Sequence, residues 1–568
     1  MDMDTPETPG LERRMIRRAL LLVALALLLA ACDKNDRRDA PLTPAVLPDN
    51  LAQLSTAKKL ALFDELADAE PGRGLPLLRA AAQDDDFRVR LAALAARRKA
   101  GDLDPLTPWL EALDSGDPEF VMEGAFGIAD AGRSDLADKL TPLLQSPHRA
   151  VRIEAAFCLI DLEWPGAPKV IGPWARRRDF LAQEAGIRAL ALAPADRAWS
   201  RLLPFATHVD DELADLALHE LVRLNPQKAI ALLAGFTDQR EELRLWAVFF
   251  LRGLTQPAAQ EALQKYAADP SSAVQTLLAQ PSLEFWESDG ENKAGAPSPF
   301  QVDPSLSADD LLQSAGTGDT LVRRAALKVL VQRHGESSPG IDVEPPVPWA
   351  KAADVETRLQ FARLATGRTE TALRDELRVL AVDRVDRVRQ QALFALAFAA
   401  EAEDRRLLRE AWRAESLDVR QTALLGLSLC GDESAAAALN EARQDPDFSL
   451  RATAMLGLAI LRPARWREQV REGLRAPEAW VRLAAAVGLH AAGAPIDETL
   501  AEEDAVRQWF YVAAALAGDD DALDLADRRY RELDVSHAYD HIRDFTVLNP
   551  RLRRMLYKPA SNAAQQQP

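Results

Sequence analysis

Val388-Arg389-Gln390-Gln391-Ala392, Val419-Arg420-Gln421-Thr422-Ala423, Leu450-Arg451-Ala452-Thr453-Ala454 and Val481-Arg482-Leu483-Ala484-Ala485 state one phrase four times within residues 386–489. The four arginines recur at every thirty-first position without exception. Three and four residues after the closing Ala come Ala395-Leu396, Gly426-Leu427, Gly457-Leu458 and Gly488-Leu489. A repeat of this length and phase predicts a helical solenoid, in which each unit buries its apolar face only by stacking on its neighbours.

The ladder extends well beyond this stretch. A step back from Arg389 reaches Arg358, and a slightly longer step earlier stands Arg323 in Val322-Arg323-x-x-Ala326. In the first half the equivalent positions are Arg90, Val121, Arg152, Gln183, Ala214, Arg244 and Gln275, which keep the same interval except for one step shorter by a single position. The phrase has decayed there while the period holds. Lys59, one further period before Arg90, marks a degenerate first unit. The chain of 568 residues is rich in Ala and Leu and poor in aromatics, a mix that favours closely packed helices over sheets.

Each unit reads as a helical hairpin. In 416–445 a first helix starts near Asp418, carries Val419, Ala423, Leu424 and Leu427, and breaks at Gly431-Asp432. A second runs from about Ser434 to Arg443. Asp117-Pro118, Asp269-Pro270 and Asp445-Pro446 punctuate the array, since Asp caps a helix and Pro is tolerated in its first turn. The phrase-bearing helix is apolar almost all round, as in 392–398, and must be packed on several sides.

The Asp-x-x-Val-Arg-x-x-Ala pattern resembles HEAT repeats, in particular the short class found in phycobilisome lyases. The resemblance covers roughly 55–517, with 283–320 and 336–352 departing from it. It implies an all-α solenoid of about 13–14 hairpins in a right-handed superhelix. It also implies a bracing role for the ladder arginines: Arg90, Arg152, Arg244, Arg323, Arg358, Arg389, Arg420, Arg451 and Arg482. Asp418 beside Arg420, Asp447 beside Arg451 and Glu478 beside Arg482 are positioned as their acidic partners.

The N-terminus carries a different signal. Arg17-Arg18 precede an apolar run from Ala19 to Ala31 and then Cys32, a pattern of basic region, short apolar core and small residues that predicts an export signal. The run is too short for a comfortable transmembrane helix. Leu29-Ala30-Ala31-Cys32 resembles the lipobox of bacterial lipoproteins, which implies cleavage before Cys32 and acylation of that residue. Residues 1–31 then form the signal and 32–50 a solvated tether, and translation from Met15 is an open alternative. Asp33 favours retention in the inner membrane by the rule of enterobacterial lipoproteins, with the outer membrane as the other destination.

The remaining divisions follow composition. An N-terminal array spans 51–282, an acidic linker 283–320, a C-terminal array 321–517, a cap 518–558 and a low-complexity tail 559–568. Residues 284–320 hold eight acidic side chains against one Lys, and Pro345-Pro346-x-Pro348 stiffens the insert 336–352. The linker thus divides two sub-arrays.

Few residues suggest chemistry. His537 and His541, with Asp540 between them, fall at helical spacing that puts both imidazoles on one side, but two ligands without Glu in the usual protease position make a weak metal signal. Cys158 and Cys430 lie in apolar runs and read as packing residues. No phosphate loop, nucleophile triad or zinc spacing is present, so no cofactor, metal or catalytic residue is expected, and the shared repeat does not carry lyase activity across. A net charge of −18 disfavours nucleic acid, although 541–558 carries five basic side chains against Asp544. The expected function is a lipid-anchored envelope scaffold that binds another protein through its repeat surface. The alternatives are an enzyme or cofactor handler with a groove between the sub-arrays, and a structural spacer.

Overall fold

The computed structural model describes residues 71–279, 306–334 and 347–491, with breaks at 85–86, 103–105, 117, 319, 367–369, 398–400, 431–434, 462 and 477, and single positions at 59, 62, 63, 66 and 302. Every ladder position from Arg90 to Arg482 lies on an α-helix. These ladder helices are α1 (Phe87–Lys99), α2 (Pro118–Asp130), α3 (Arg149–Asp161), α4 (Phe180–Ala191), α5 (Asp211–Leu224), α6 (Glu241–Gly253) and α7 (Ser272–Ala279). They continue as α8 (Thr320–His334), α9 (Val355–Leu364), α10 (Asp386–Ala397), α11 (Leu417–Leu429), α12 (Phe448–Leu461) and α13 (Ala479–Ala491). The described residues contain no strand, and the chain is an all-α, HEAT-like helical repeat.

The residues fall into two compact units, which divide after Asp104. In the first, α1 packs on the helix Pro71–Ala81. In the second, α2 to α7 stack in order, as do α8 to α13. The ladder helices form the inner layer, and the intervening helices form an outer one. In the later units these outer helices are Thr371–Leu380, Ala402–Ala411, Ala435–Ala442 and Pro463–Gly473. The units of α2 and α3 have in that place only short helical turns, Ala137–Leu140 with Thr141–Gln145 and Ala167–Val170 with Gly172–Arg176.

Local signals set the helix ends. Asp179, Asp210 and Asp354 each cap a ladder helix, accepting from the backbone N–H of Ala182, Glu212 and Thr357. Gly132, at φ 65°, ends α2 in the left-handed conformation that spares it a Cβ clash, and Arg133 N–H closes back on Ile128. Between its ends a ladder helix is packed from several directions: ten of the fourteen residues of α12 are buried. Fully burying one Leu or Ile contributes about 1.5–3 kcal/mol, so the stacked inner layer supplies the main stabilisation.

Small residues set the spacing of that layer. A Cβ on Gly457 would stand 2.5 Å from Leu439 and 2.6 Å from Ser428, so α12 approaches its neighbours only because the side chain is missing. Gly426 and Gly488 occupy the same register one repeat away. This explains the glycine that follows the phrase.

One segment departs from expectation. Residues 308–317, read as part of an acidic linker, form the helix Ala308–Thr317 packed on α8. Ser307 caps it by accepting from Asp310 N–H, and Leu311 and Ala315 face inward. The last unit before the C-terminal ladder is therefore a hairpin, and α8 is its second helix. The expected signal peptide and tether, Cys32, most of the two inserts, His537, His541 and the basic cap lie outside the described residues. Among the described residues, no helix is long and apolar enough to cross a membrane.

Candidate functional site

The ladder position does two jobs at once. Its side chain points back to the loop preceding its own helix, donating to the carbonyl six residues upstream. Arg90 reaches Asp84 O at 2.8 Å, Arg152 Ser146 O at 2.6 Å, Arg358 Ala352 O at 2.9 Å, Arg451 Asp445 O at 2.6 Å and Arg482 Ala476 O at 2.7 Å. At Arg358 the same cation also extends forward to a carboxylate at the start of the next unit, and Lys59, Arg244 and Arg420 make that forward contact at the same distance along the chain. These pairs are Lys59–Asp84 at 2.5 Å, Arg244–Asp269 at 2.8 Å, Arg358–Asp383 at 2.9 Å and Arg420–Asp445 at 3.3 Å.

The loop Asp is the joint between units. Its carboxylate takes the cation of the unit before and, as an Asx turn, the backbone N–H two residues on: Ser271 on Asp269, Val385 on Asp383, Asp447 on Asp445. At Asp84 and Asp445 its own carbonyl takes the cation of the unit after. A planar guanidinium with donors on two sides fits this geometry, which a point-like ammonium meets only in part. Lys59 accordingly makes the forward contact.

This geometry corrects the pairings expected from sequence proximity. Arg420 pairs with Asp445, not Asp418, and Arg451 reaches Glu478 at 2.5 Å instead of Asp447. Arg389 alone uses a carboxylate on its own helix, Asp386. Arg323 donates to Ala315 O at 3.0 Å, in the helix before α8.

The displaced acids belong to a second structure that the sequence did not reveal. Within the second unit the ladder α3–α6 meets the ladder α8–α12 along the N-terminal ends of their helices, running in opposite directions. Arg149, at the start of α3, pairs with Asp179 and reaches Asp418 at 3.1 Å, and its backbone N–H donates to Asp447 at 2.6 Å. His148 Nδ1 accepts from Phe448 N–H, and the two rings lie 5.3 Å apart. One step on, Arg387 holds Asp210 at 2.9 Å and Glu212 at 2.5 Å and lies over the Phe180 ring. Further along, Arg324 reaches Asp211 at 3.1 Å, and Thr320 donates to Glu241 at 2.8 Å.

Acid outweighs base in this seam. Asp210, Asp211, Glu242 and Asp354 are all buried. Burial pushes the carboxyls of Asp210, Asp211 and Glu242 above the usual carboxylate range, against the pull of nearby arginines. Asp386 is raised for the same reason. Burial would by itself lower Arg387, but Glu212 and Asp210 offset it and hold the guanidinium above its ordinary value. His148 and His208 are both lowered by burial.

Two open cavities lie against these braces. One of about 330 Å³ is lined by Arg443, Arg451, Met455, Glu472 and Glu478. Another of about 350 Å³ lies where the two ladders meet, among Glu241, Arg244, Ser271, Thr320 and Arg323. Among the described residues, no group of three or more His, Cys, Asp or Glu is arranged to hold a metal. Cys158 is buried in the inner layer, and Cys430 is half-buried with its thiol 3.5 Å from Ala397 O.

No protein-family model matches the chain, and no curated protein matches it. Solved structures with some likeness include human deoxyhypusine hydroxylase in complex with glycerol, 16% identical with a TM-score of 0.24, covering 59% of this chain and 98% of that one. Kap121p bound to Nup53p is 12% identical with a TM-score of 0.25, covering 96% of this chain and 56% of that one. Kap121p bound to Pho4p is also 12% identical, with a TM-score of 0.24 and coverage of 95% and 56%. The chain thus spans little more than half the length of Kap121p. Likenesses at this level carry nothing about activity or partners, and the repeat fold stands on the ladder itself.

Proposed function

We propose that the protein is a lipid-anchored scaffold of the bacterial envelope that binds another protein through its helical-repeat surface. The observation that supports this is the use made of the ladder. Lys59, Arg244, Arg358, Arg420 and Arg451 each hold their unit in register with the next, so the repeat supports a braced surface. The Cys32 lipobox, similar to that of bacterial lipoproteins, supplies the anchor, and two or three acyl chains make the attachment stable where one does not.

Two measurements test the halves of this reading separately. Cys32→Ser abolishes labelling by palmitate and moves the protein from the membrane to the soluble fraction; unchanged fractionation overturns the anchor. Affinity capture from membranes with the full chain recovers a partner that is lost when the 355–517 array is deleted; identical recoveries overturn the scaffold. A second reading, a cofactor handler of the phycobilisome-lyase kind, is favoured by the buried carboxylates between the ladders. It requires a chromophore or other bound cofactor to co-purify with the protein, and to be lost on Asp211→Ala.

A further inference from the structure

The chain carries −18 overall, yet residues 164–208 hold seven Lys and Arg against three Asp and Glu, a local charge of +4. The three acids are already engaged: Asp179 by Arg149, Glu184 by Arg188 and Asp196 by Lys228. Six cations remain exposed, Lys169, the run Arg176–Arg178, Arg197 and Arg201, and none forms an ion pair with a described residue. Elsewhere in the described chain, arginines are mostly consumed in braces; here Arg178 acts on Asp386 and Arg177 lies over Trp174, but no ion pair to a described residue holds any of the six.

The repeat places these residues together. The turn Ala167–Val170 and the helix Ala195–Leu202 are outer-layer elements of consecutive units, both packed on α4. One period carries Lys169 and Val170 onto Ser200 and Arg201, so the two elements present the same register side by side. On the helix, Arg197 and Arg201 share one face at four-residue spacing, while Ala198 and Leu202 are fully buried on the other. Arg176–Arg178 follow in the loop that leads into α4, where Arg177 lies over the Trp174 ring at 4.5 Å.

An independent feature lies among these cations. Only four large hydrophobic side chains are exposed among the described residues, and two are here: Val170 at 39% and Leu203 at 41%. Each stands beside a cation of the cluster, and Trp199 lies half-buried between them in sequence. Basic side chains around protruding aliphatic ones match a bilayer interface, where cations meet anionic headgroups and aliphatic tips enter the acyl boundary. An acidic protein segment would use the cations and leave Val170 and Leu203 without a role.

We infer that the outer face formed by 167–178 and 195–203 is a docking surface for an anionic lipid bilayer. The surface lies more than a hundred residues beyond Cys32 and works without the acyl anchor. It lays the first part of the second unit along the membrane, so the scaffold is held at two places.

The test uses the full chain carrying Cys32→Ser, which cannot be acylated. Its sedimentation is measured with vesicles of phosphatidylcholine alone and with about 30% phosphatidylglycerol, from about 50 to about 300 mM salt. The protein binds the anionic vesicles only, and salt weakens the binding. Each cation near the surface contributes about fivefold, so R176Q/R177Q/R178Q weakens binding about a hundredfold. V170D/L203D also weakens binding, while the thermal melting of both variants stays close to that of the parent, since the altered side chains are exposed and the triple variant loses only the Arg177–Trp174 contact and the pull of Arg178 on Asp386. Absence of anionic-vesicle binding, or binding unchanged in the triple variant, overturns the inference. Binding to a polyglutamate peptide as tightly as to vesicles, with no effect of V170D/L203D, assigns the surface to an acidic protein and also overturns it. Because Cys32 is absent, none of these outcomes depends on the lipoprotein reading.

Discussion

In α9 the ladder position is Arg358, 6% exposed, which donates to the carbonyls of Ala352 and Ala353 and to the Asp383 carboxylate. In α5 the same position is Ala214, and the charges at that level lie at the start of the helix, where Asp210 and Asp211 face Arg387 and Arg324 of the other ladder. The later ladder is braced largely along its own length. Within the second unit the earlier one keeps Arg only at Arg152 and Arg244 and is held in part by the later ladder across the seam. At α5, where the ladder cation is missing, contacts across the seam stand in its place.

The largest effect expected of this difference is at Arg358. Arg358→Ala leaves Asp383, itself buried, without its cation and strands two carbonyls, a loss of about 3–5 kcal/mol of unfolding free energy in urea titration. Arg152→Ala removes donors only to the carbonyls of Ser146 and Pro147 and costs about 1–2 kcal/mol. Equal losses at the two sites would mean that the forward carboxylate adds nothing.

Packing differs between particular units. Six residues after the ladder position, α10 to α13 hold Ala395, Gly426, Gly457 and Gly488, whereas α3 to α6 admit Cys158, Ala189, Glu220 and Phe250, and α8 and α9 hold Val329 and Leu364. Gly457→Ala drives a methyl into Leu439 and Ser428 and costs about 1–3 kcal/mol by overpacking. The matching exchange Ala189→Gly in the earlier ladder creates no clash and loses only about 1 kcal/mol, mainly through helix propensity. Thermal melts of the pair separate the two.

At the seam itself, Arg387→Ala leaves Asp210 buried without its ion pair and costs about 2 kcal/mol. The loss falls on both ladders together, so hydrogen exchange quickens at the N-terminal ends of α5 and α10 and not in the outer layer. Seam stability also depends on pH, in two opposed ways. His148 and His208 are held below their ordinary value of 6.5 by burial. The unfolded chain therefore takes up protons first, and the stability present above 6.5 is lost as pH falls through the lowered folded values. Asp210, Asp211, Glu242 and Asp386 are raised, so their contribution is present below the ordinary carboxylate range and lost as pH rises through the raised values. His148→Gln removes part of the histidine-dependent loss below 6.5, read as a flatter curve of melting temperature against pH.

Much of this was legible in the sequence because it is local. A constant period places thirteen helices, and Asp-Pro and Ser/Asp caps place their ends within a few residues. Lys59, the faintest ladder position, makes the forward contact that Arg244, Arg358 and Arg420 also make. The seam was not legible, since Asp418 and Arg420 are adjacent in sequence while Arg149, which holds Asp418, is 269 residues away. The helix at Ala308–Thr317 was missed because its acidic start looked like a linker. Its signal was the Ser307-x-x-Asp310 cap followed by Leu311, Leu312 and Ala315.

Gln275 gives the smallest and sharpest test. It stands in the ladder position of α7, where an amide has replaced the guanidinium, and its Nε2 donates to the carbonyls of Tyr266, Ala267 and Asp269 at 3.1–3.2 Å. The Asp269 carbonyl is the one six residues upstream, so the backward half of the arginine's work survives the substitution. Gln275→Ala strands these acceptors at a partly solvated site and costs about 1 kcal/mol. Gln275→Arg keeps the same acceptors with a charged donor and holds or slightly raises stability. If the two substitutions were equally damaging, the position would serve helix packing alone. If both were neutral, the loop carbonyls would be satisfied by water, and the backward contact would have no part in holding the earlier ladder together.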